Sequence, residues 1–279
     1  MTLPKTAREL LHLKGQRPQV WITAYDFTQA ELAQSAAVDA ILVGDSLGMT
    51  MLGYSTTLPV TVDDMVYHSR VVRRAASDTL LIVDMPFLSY RDPATALVNA
   101  GRIMQEAAAD AVKLEGGARI IPVVEHLVAE GIPVIGHLGL TPQSVHRMGG
   151  YRVQARTADA VHTLVEDARQ LAAAGISALV LEGIPDRVAA LVTHTVTVPT
   201  IGIGAGSATD GQVLVFHDCV GLSARTPKFV TPFAHGREAL LQGIRSYREA
   251  VIGGTFPDAQ HSYHITDEEW DHFVRQHPS

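Results

Sequence analysis

Short runs of Val, Ile and Leu recur along the chain, each closing on Gly, Asp, Ser or Pro, with segments of helical period between them. The runs predict strands at 20–26, 40–46, 80–86, 111–117, 133–139, 178–184, 199–206 and 213–221. A helix is predicted over 61–76, where Thr61 can cap the first turn and Asp63 and Asp64 complement the positive end of its dipole. Another spans the Ala-rich stretch 158–174 and stops at Gly175, and Pro93 and Pro142 stand where first-turn prolines are tolerated.

Parallel strands covered on both faces read as continuous apolar runs, and right-handed crossovers close eight of them into a barrel. An open doubly wound sheet is the alternative, but it gathers its ligands at one switch point. Here polar residues end the second, third, fourth, fifth and sixth strands, a distribution that favours a single-domain (β/α)8 TIM barrel. Residues 4–14 read as an amphipathic helix capping the lower end, and 235–253 as a long C-terminal helix. The expected division is a catalytic barrel over 1–254 and a polar extension over 255–279, whose short helix carries Trp270 and Phe273 on an adhesive face.

Composition narrows the partners. A net charge of −7 argues against sequence-independent nucleic-acid binding, which rests on clustered Lys and Arg. No apolar run is long enough to span a bilayer and the N-terminus lacks a secretory h-region, so a cytoplasmic, small-molecule enzyme is expected. Cys219 is the single cysteine, which excludes an intrachain disulfide and a Cys-based zinc site; its strand-like setting predicts a buried structural thiol rather than a nucleophile.

The chemistry lies at the strand ends. Asp45 and Asp84 close neighbouring strands, so both carboxylates would stand on one rim, and two hard oxygens suit Mg²⁺ better than zinc; the bland alternative is that each only caps the helix after it. Lys113 and Glu115, two apart, share one face of a strand otherwise apolar. Either they form a structural ion pair or they face a cavity, with Glu115 joining the metal shell and Lys113 meeting an anionic substrate. Glu182 ends the sixth strand across the mouth, where apolar surroundings make it a better base, unless a loop Arg claims it. His137 ends the fifth strand with its role open, and GIGAG at 202–206 lacks the third glycine of a dinucleotide fingerprint, so NAD binding is rejected.

The strings ITAYD, LVGDSLGMT, TLPVT, KLEGG, GHLGLTPQS, GGY, IGIGAG, TDGQ and PKF, in order over 22–229, are similar to those of the ketopantoate hydroxymethyltransferase family. The resemblance implies a Mg²⁺-dependent transfer of a hydroxymethyl group from 5,10-methylenetetrahydrofolate to 3-methyl-2-oxobutanoate, giving 2-dehydropantoate on the route to pantothenate and coenzyme A. It also implies cytoplasmic homo-oligomers, decameric in bacteria. Carried over by motif, Asp45 and Asp84 bind metal and substrate with Glu115 assisting, Ser46 and Lys113 hold the oxo acid, and Glu182 accepts the proton. The segment ITDEEWDHFVRQHPS has no counterpart in the family pattern, and GLSARTPKF is shorter and less Gly-rich than the family's loop ahead of PKF. Two other classes compete: a lyase or mutase of the phosphoenolpyruvate mutase and isocitrate lyase group, and a barrel that binds a metabolite without turning it over.

Overall fold

Eight parallel strands close into a barrel in sequence order, in a computed structural model that describes residues 3–277. The strands are β1 (Gln19–Thr23), β2 (Ala40–Val43), β3 (Leu80–Asp84), β4 (Ala111–Glu115), β5 (Val134–Gly139), β6 (Ala178–Glu182), β7 (Thr200–Ile203) and β8 (Gly211–Leu214). The helices are α1 (Ala7–Leu13), α2 (Phe27–Ser35), α3 (Leu47–Thr50), α4 (Val62–Ala75), α5 (Pro93–Ala107), α6 (Ile121–Ala129), α7 (Val145–Met148), α8 (Ala158–Ala173), α9 (Asp186–Thr195), α10 (Phe216–Cys219), α11 (Gly236–Ile252) and α12 (Asp267–Gln276). The expected caps form: Thr61 and Asp64 make a reciprocal capping box at the head of α4, and Pro93 occupies the first turn of α5.

The period of two divides each strand between two cores. Outward residues such as Leu81, Val83, Val112 and Leu114 pack under the helices. Inward residues such as Trp21, Leu80, Ile82, Ile135, Val180 and Ile201 fill the lower barrel, and α1 closes it from below with Ala7 and Leu10. Leu10 is wholly buried, and burying a side chain of its size stabilises by about 1.5–3 kcal/mol.

The eighth strand departs from the expectation of 213–221. Pairing with β1 ends at Leu214, and the chain turns so that the Phe216 N–H donates to Thr23 Oγ1 at 2.9 Å and a helical turn follows. A short apolar run supports strand or helix equally, and here tertiary contact decides. Cys219 therefore lies in α10 and is half-buried rather than enclosed in a strand.

Helix α11 is the other exception. None of its residues is buried, although Leu240, Ile244, Tyr247 and Val251 form a stripe at helical spacing. The outer face of β1, which a helix after β8 would cover, leaves Val20 55% exposed. Trp270 and Phe273 of α12 are exposed too and stack on each other.

Candidate active site

Alternation along the strands decides which side chains enter the upper barrel. Two residues beyond the inward apolar positions Ile82, Ala111, Ile135 and Val180 stand Asp84, Lys113, His137 and Glu182, with Glu115 a further step along β4. Register then makes neighbours of Asp84 and Lys113, and of Glu115 and His137. Asp45 joins them from the turn after β2, where its N–H donates to Asp84 Oδ2 at 3.0 Å. A Cβ at position 44 would lie 2.9 Å from Ser46 Oγ, so Gly44 leaves the Ser46 hydroxyl its place beside Tyr25.

Lys113 Nζ stands 2.9 Å from Asp84 Oδ1 and 3.2 Å from His137 Nδ1. His137 in turn bridges two carboxylates, with Nδ1 3.4 Å from Glu115 Oε1 and Nε2 3.3 Å from Glu182 Oε2. Asp45, Asp84, Lys113, Glu115 and His137 are each at most 4% exposed, whereas the Glu182 side chain, at 17%, meets the open mouth.

These groups set one another's protonation. Burial, reinforced by Asp84 and Glu115, pushes the Asp45 carboxyl well above its ordinary range. Burial raises Asp84 as well, against the pull of Lys113. For Lys113 burial acts downward, but the facing Asp84, Glu115 and Asp45 prevail and hold the ammonium above its ordinary value. Burial and Lys113 both act to lower His137, yet its contacts with Glu115 and Glu182 overcome them and raise the imidazole to about 9. Four carboxyl groups thus crowd around one ammonium and one imidazole.

A neutral scaffold holds the acids apart. Gln143 donates from Nε2 to Asp45 Oδ2 at 2.8 Å and to the Met85 carbonyl at 3.0 Å, and its backbone N–H donates to Glu115 Oε2 at 3.0 Å. Tyr90 donates its hydroxyl to Gln143 Oε1 at 2.5 Å. The buried Tyr25, its phenol pushed up to about 12 by burial, shares a 2.7 Å hydrogen bond with Ser46.

The sequence pattern of ketopantoate hydroxymethyltransferase matches residues 4–259. The chain belongs to that family. Similar proteins named 3-methyl-2-oxobutanoate hydroxymethyltransferase include one from Geotalea uraniireducens, 49% identical over 95% of this chain and 100% of its own length. Another, from Bacillus cereus, is 48% identical over 95% of this chain and 96% of its own. Among solved structures, 2,3-dimethylmalate lyase, a member of the PEP mutase/isocitrate lyase superfamily, aligns with a TM-score of 0.60 at 17% identity over 99% of this chain and 97% of its own. Phosphonopyruvate hydrolase aligns with a TM-score of 0.61 at 11% identity over 98% of each chain. At such identities the two structures speak for a shared barrel alone.

For this member of the ketopantoate hydroxymethyltransferase family, the predicted residues Asp45, Ser46, Asp84, Lys113, Glu115 and Glu182 all converge on the upper barrel, and His137, whose role the sequence left open, sits at their centre. The ion-pair alternative for Lys113 is realised with Asp84 on the next strand, not with Glu115 on its own. Gln143, Tyr90 and Tyr25 were not anticipated. Cys219 makes a poor nucleophile for a different reason from the expected one: partial burial pushes its thiol up, away from the thiolate.

No group of three or more His, Cys, Asp or Glu among the described residues is drawn together as a ligand cage. A pair of carboxylates is nonetheless what Mg²⁺ commonly takes from a protein. Asp45 and Asp84 fit that role by their hard oxygens and by the repulsion that burial beside further carboxyl groups imposes on them, which a cation would relieve. Of the predicted site residues, Ser46 and Glu182 line a cavity of about 1060 Å³ that reaches past Tyr151 to Asp218, Arg225 and Phe229. Gly204, at φ +62°, forms part of its wall, and a Cβ there would come within 2.7 Å of the Phe229 ring. A smaller pocket of about 90 Å³ lies behind Glu115, beside Tyr90 and Arg119.

Proposed function

We propose that the protein transfers a hydroxymethyl group from 5,10-methylenetetrahydrofolate to 3-methyl-2-oxobutanoate, forming 2-dehydropantoate, with Mg²⁺ held by Asp45 and Asp84 and assisted by Glu115. The observation that carries this reading is Glu182, at the cavity mouth, beside His137, which faces Glu115 and the buried pair of Lys113 and Asp84, in a chain whose relatives bear that activity in their name. Bound there, the cation would polarise the oxo acid's carbonyl and acidify the adjacent C3–H.

Each remaining duty falls to a side chain. Glu182 has a free face toward the cavity and accepts the C3 proton. His137, with Nε2 3.3 Å from Glu182 Oε2 but not hydrogen-bonded to it, acts on the carboxylate by its charge. Lys113 supplies positive charge beside Asp84 and offsets the charge that develops on the oxo acid as the proton leaves. Ser46, held by Tyr25, offers its hydroxyl to the oxo acid's carboxylate. The methylene carbon gives up both its bonds to the folate nitrogens and takes its oxygen from water, which leaves tetrahydrofolate with a proton on each nitrogen; C3 bonds to this formaldehyde-level carbon, and the proton held by Glu182 completes the new hydroxyl.

We also propose that copies of the chain assemble. Support comes from the uncovered apolar stripe of α11 and the exposed outer face of β1. The decamer expected from the family resemblance is one such assembly.

The test uses purified protein with Mg²⁺ and 3-methyl-2-oxobutanoate in D₂O, followed by proton NMR. Loss of the C3–H signal, formation of 2-dehydropantoate once methylenetetrahydrofolate is added, and suppression of both by EDTA are expected. Neither exchange nor condensation, or turnover of isocitrate or methylisocitrate with no folate present, would overturn the reading.

A further inference from the structure

The cavity is too large for the oxo acid alone. A five-carbon oxo acid occupies a small part of about 1060 Å³, whereas cavities of roughly 300–1,000 Å³ ordinarily hold drug-sized molecules. It is continuous from the Ser46 and Glu182 end, where C3 would react, to a chamber walled by the segment after β8. A second, larger molecule lodged in that chamber would face the reacting carbon directly.

The chamber's polar groups describe what that molecule carries. Asp218 accepts a hydrogen bond from Ser223 Oγ at 2.5 Å through Oδ1, which orients the carboxylate, and among the described residues nothing donates to Oδ2. Its neighbour His217 is held by stacking on Tyr25, and its Nδ1 is buried without a hydrogen-bond partner. A carboxylate fixed in this way takes adjacent N–H donors as a pair, the pattern on the amide and amino edge of a pteridine. The Phe229 and Tyr151 rings, 42% and 48% exposed, give flat apolar surface for the ring system.

The rim is cationic although the chain carries a net charge of −7. Arg152, Arg225 and Lys228 line the cavity, and none forms an ion pair with a described residue. Unpaired cations at the outer end of an acidic site point to a ligand whose far end is anionic.

We propose that this chamber seats the reduced-folate donor, with Asp218 receiving the N–H groups of its pterin and Arg225 and Lys228 the carboxylates of its glutamate tail. The proposal rests on the transfer reading above and adds a location and residues to it. Folates bear one or several glutamates, so Arg225 and Lys228 should discriminate by tail length.

Calorimetric titration with tetrahydrofolate and with its triglutamate, alongside steady-state kinetics, provides the test. Asp218→Asn should weaken tetrahydrofolate at least tenfold and raise the KM for methylenetetrahydrofolate to match, with the KM for the oxo acid within twofold of the parent. Arg225→Ser with Lys228→Ser should weaken the triglutamate at least fivefold more than the monoglutamate. Parental affinity for both folates in both variants, or a rise of the two KM values in step, would overturn the assignment. Should Asp218→Asn fail to fold, the exposed Arg225 and Lys228 pair decides alone. A wild-type protein that neither exchanges the oxo acid's proton nor binds tetrahydrofolate would bring down the transfer reading itself, whereas normal turnover with unaffected variants would remove only the donor site.

Discussion

Replacing Lys113 with Met removes the one ammonium that faces Asp84, Asp45 and Glu115 while keeping the volume of its stem. The pair it forms with Asp84 is buried, at 4% and 5% side-chain exposure. Stripping one partner from such a pair typically costs about 3–5 kcal/mol, because the other charge stays buried without compensation. In a chain of 279 residues that corresponds to a fall in Tm of roughly 5–10 °C, measured by calorimetry in EDTA at neutral pH. Two further arms follow from the electrostatics. Asp84→Asn in the same chain should restore at least half the loss, since neutral replacement of both partners is near neutral in energy. Protonation should also relieve the single variant: without Lys113 the folded-state carboxyl values rise further above those of the unfolded chain. Groups raised in this way lose stability as pH rises through the folded value, so the Tm deficit should shrink from pH 8 toward pH 6. A Tm within 2 °C of the parent, or additive losses in the double variant, would refute the view that this pair is an electrostatic unit.

Glu182→Gln keeps the side chain's size but removes the base, so proton exchange by NMR should fall about a hundredfold to ten-thousandfold while calorimetric affinity for the oxo acid changes little. Asp45→Asn should weaken Mg²⁺ and the oxo acid together by tenfold or more. Because burial and its neighbours raise Asp45, protons and metal compete there, and the apparent Kd for Mg²⁺ should fall as pH rises from acid to neutral. Gln143→Leu leaves Asp45 without a donor and Tyr90 with only the Glu115 carbonyl at 3.3 Å, and the stranded Asp45 should cost about 1–3 kcal/mol, which urea unfolding would register. Ile244→Glu on α11 should reduce the assembled fraction in sedimentation velocity if that stripe is covered by another copy.

The barrel was legible because parallel strands buried on both faces leave uninterrupted apolar runs, and a charge inside such a run, as in Lys113 and Glu115, announces itself. Single-strand periodicity says nothing about the next strand, however. It pairs Lys113 with Glu115, two residues away, whereas register places Asp84 beside it. Gln143 was illegible for a related reason. An amide in a single 3-10 turn has no pattern of its own, and its partner Asp45 lies 98 residues earlier. The last strand failed where apolar content was read as extension: Phe216 is buried, but as the start of a helical turn.

In β3, β4, β5 and β6 a single pleat separates hydrocarbon from ionisable groups, Ile82 from Asp84, Ala111 from Lys113, Ile135 from His137 and Val180 from Glu182. The charges therefore rest on a dry floor and can be hydrated from one direction only. Whatever descends into the mouth must take over the solvation it displaces, so recognition and dehydration become one event. One step down, substitutions are felt as melting alone; one step up they cost chemistry and, where a buried pair such as Lys113 with Asp84 is broken, stability as well.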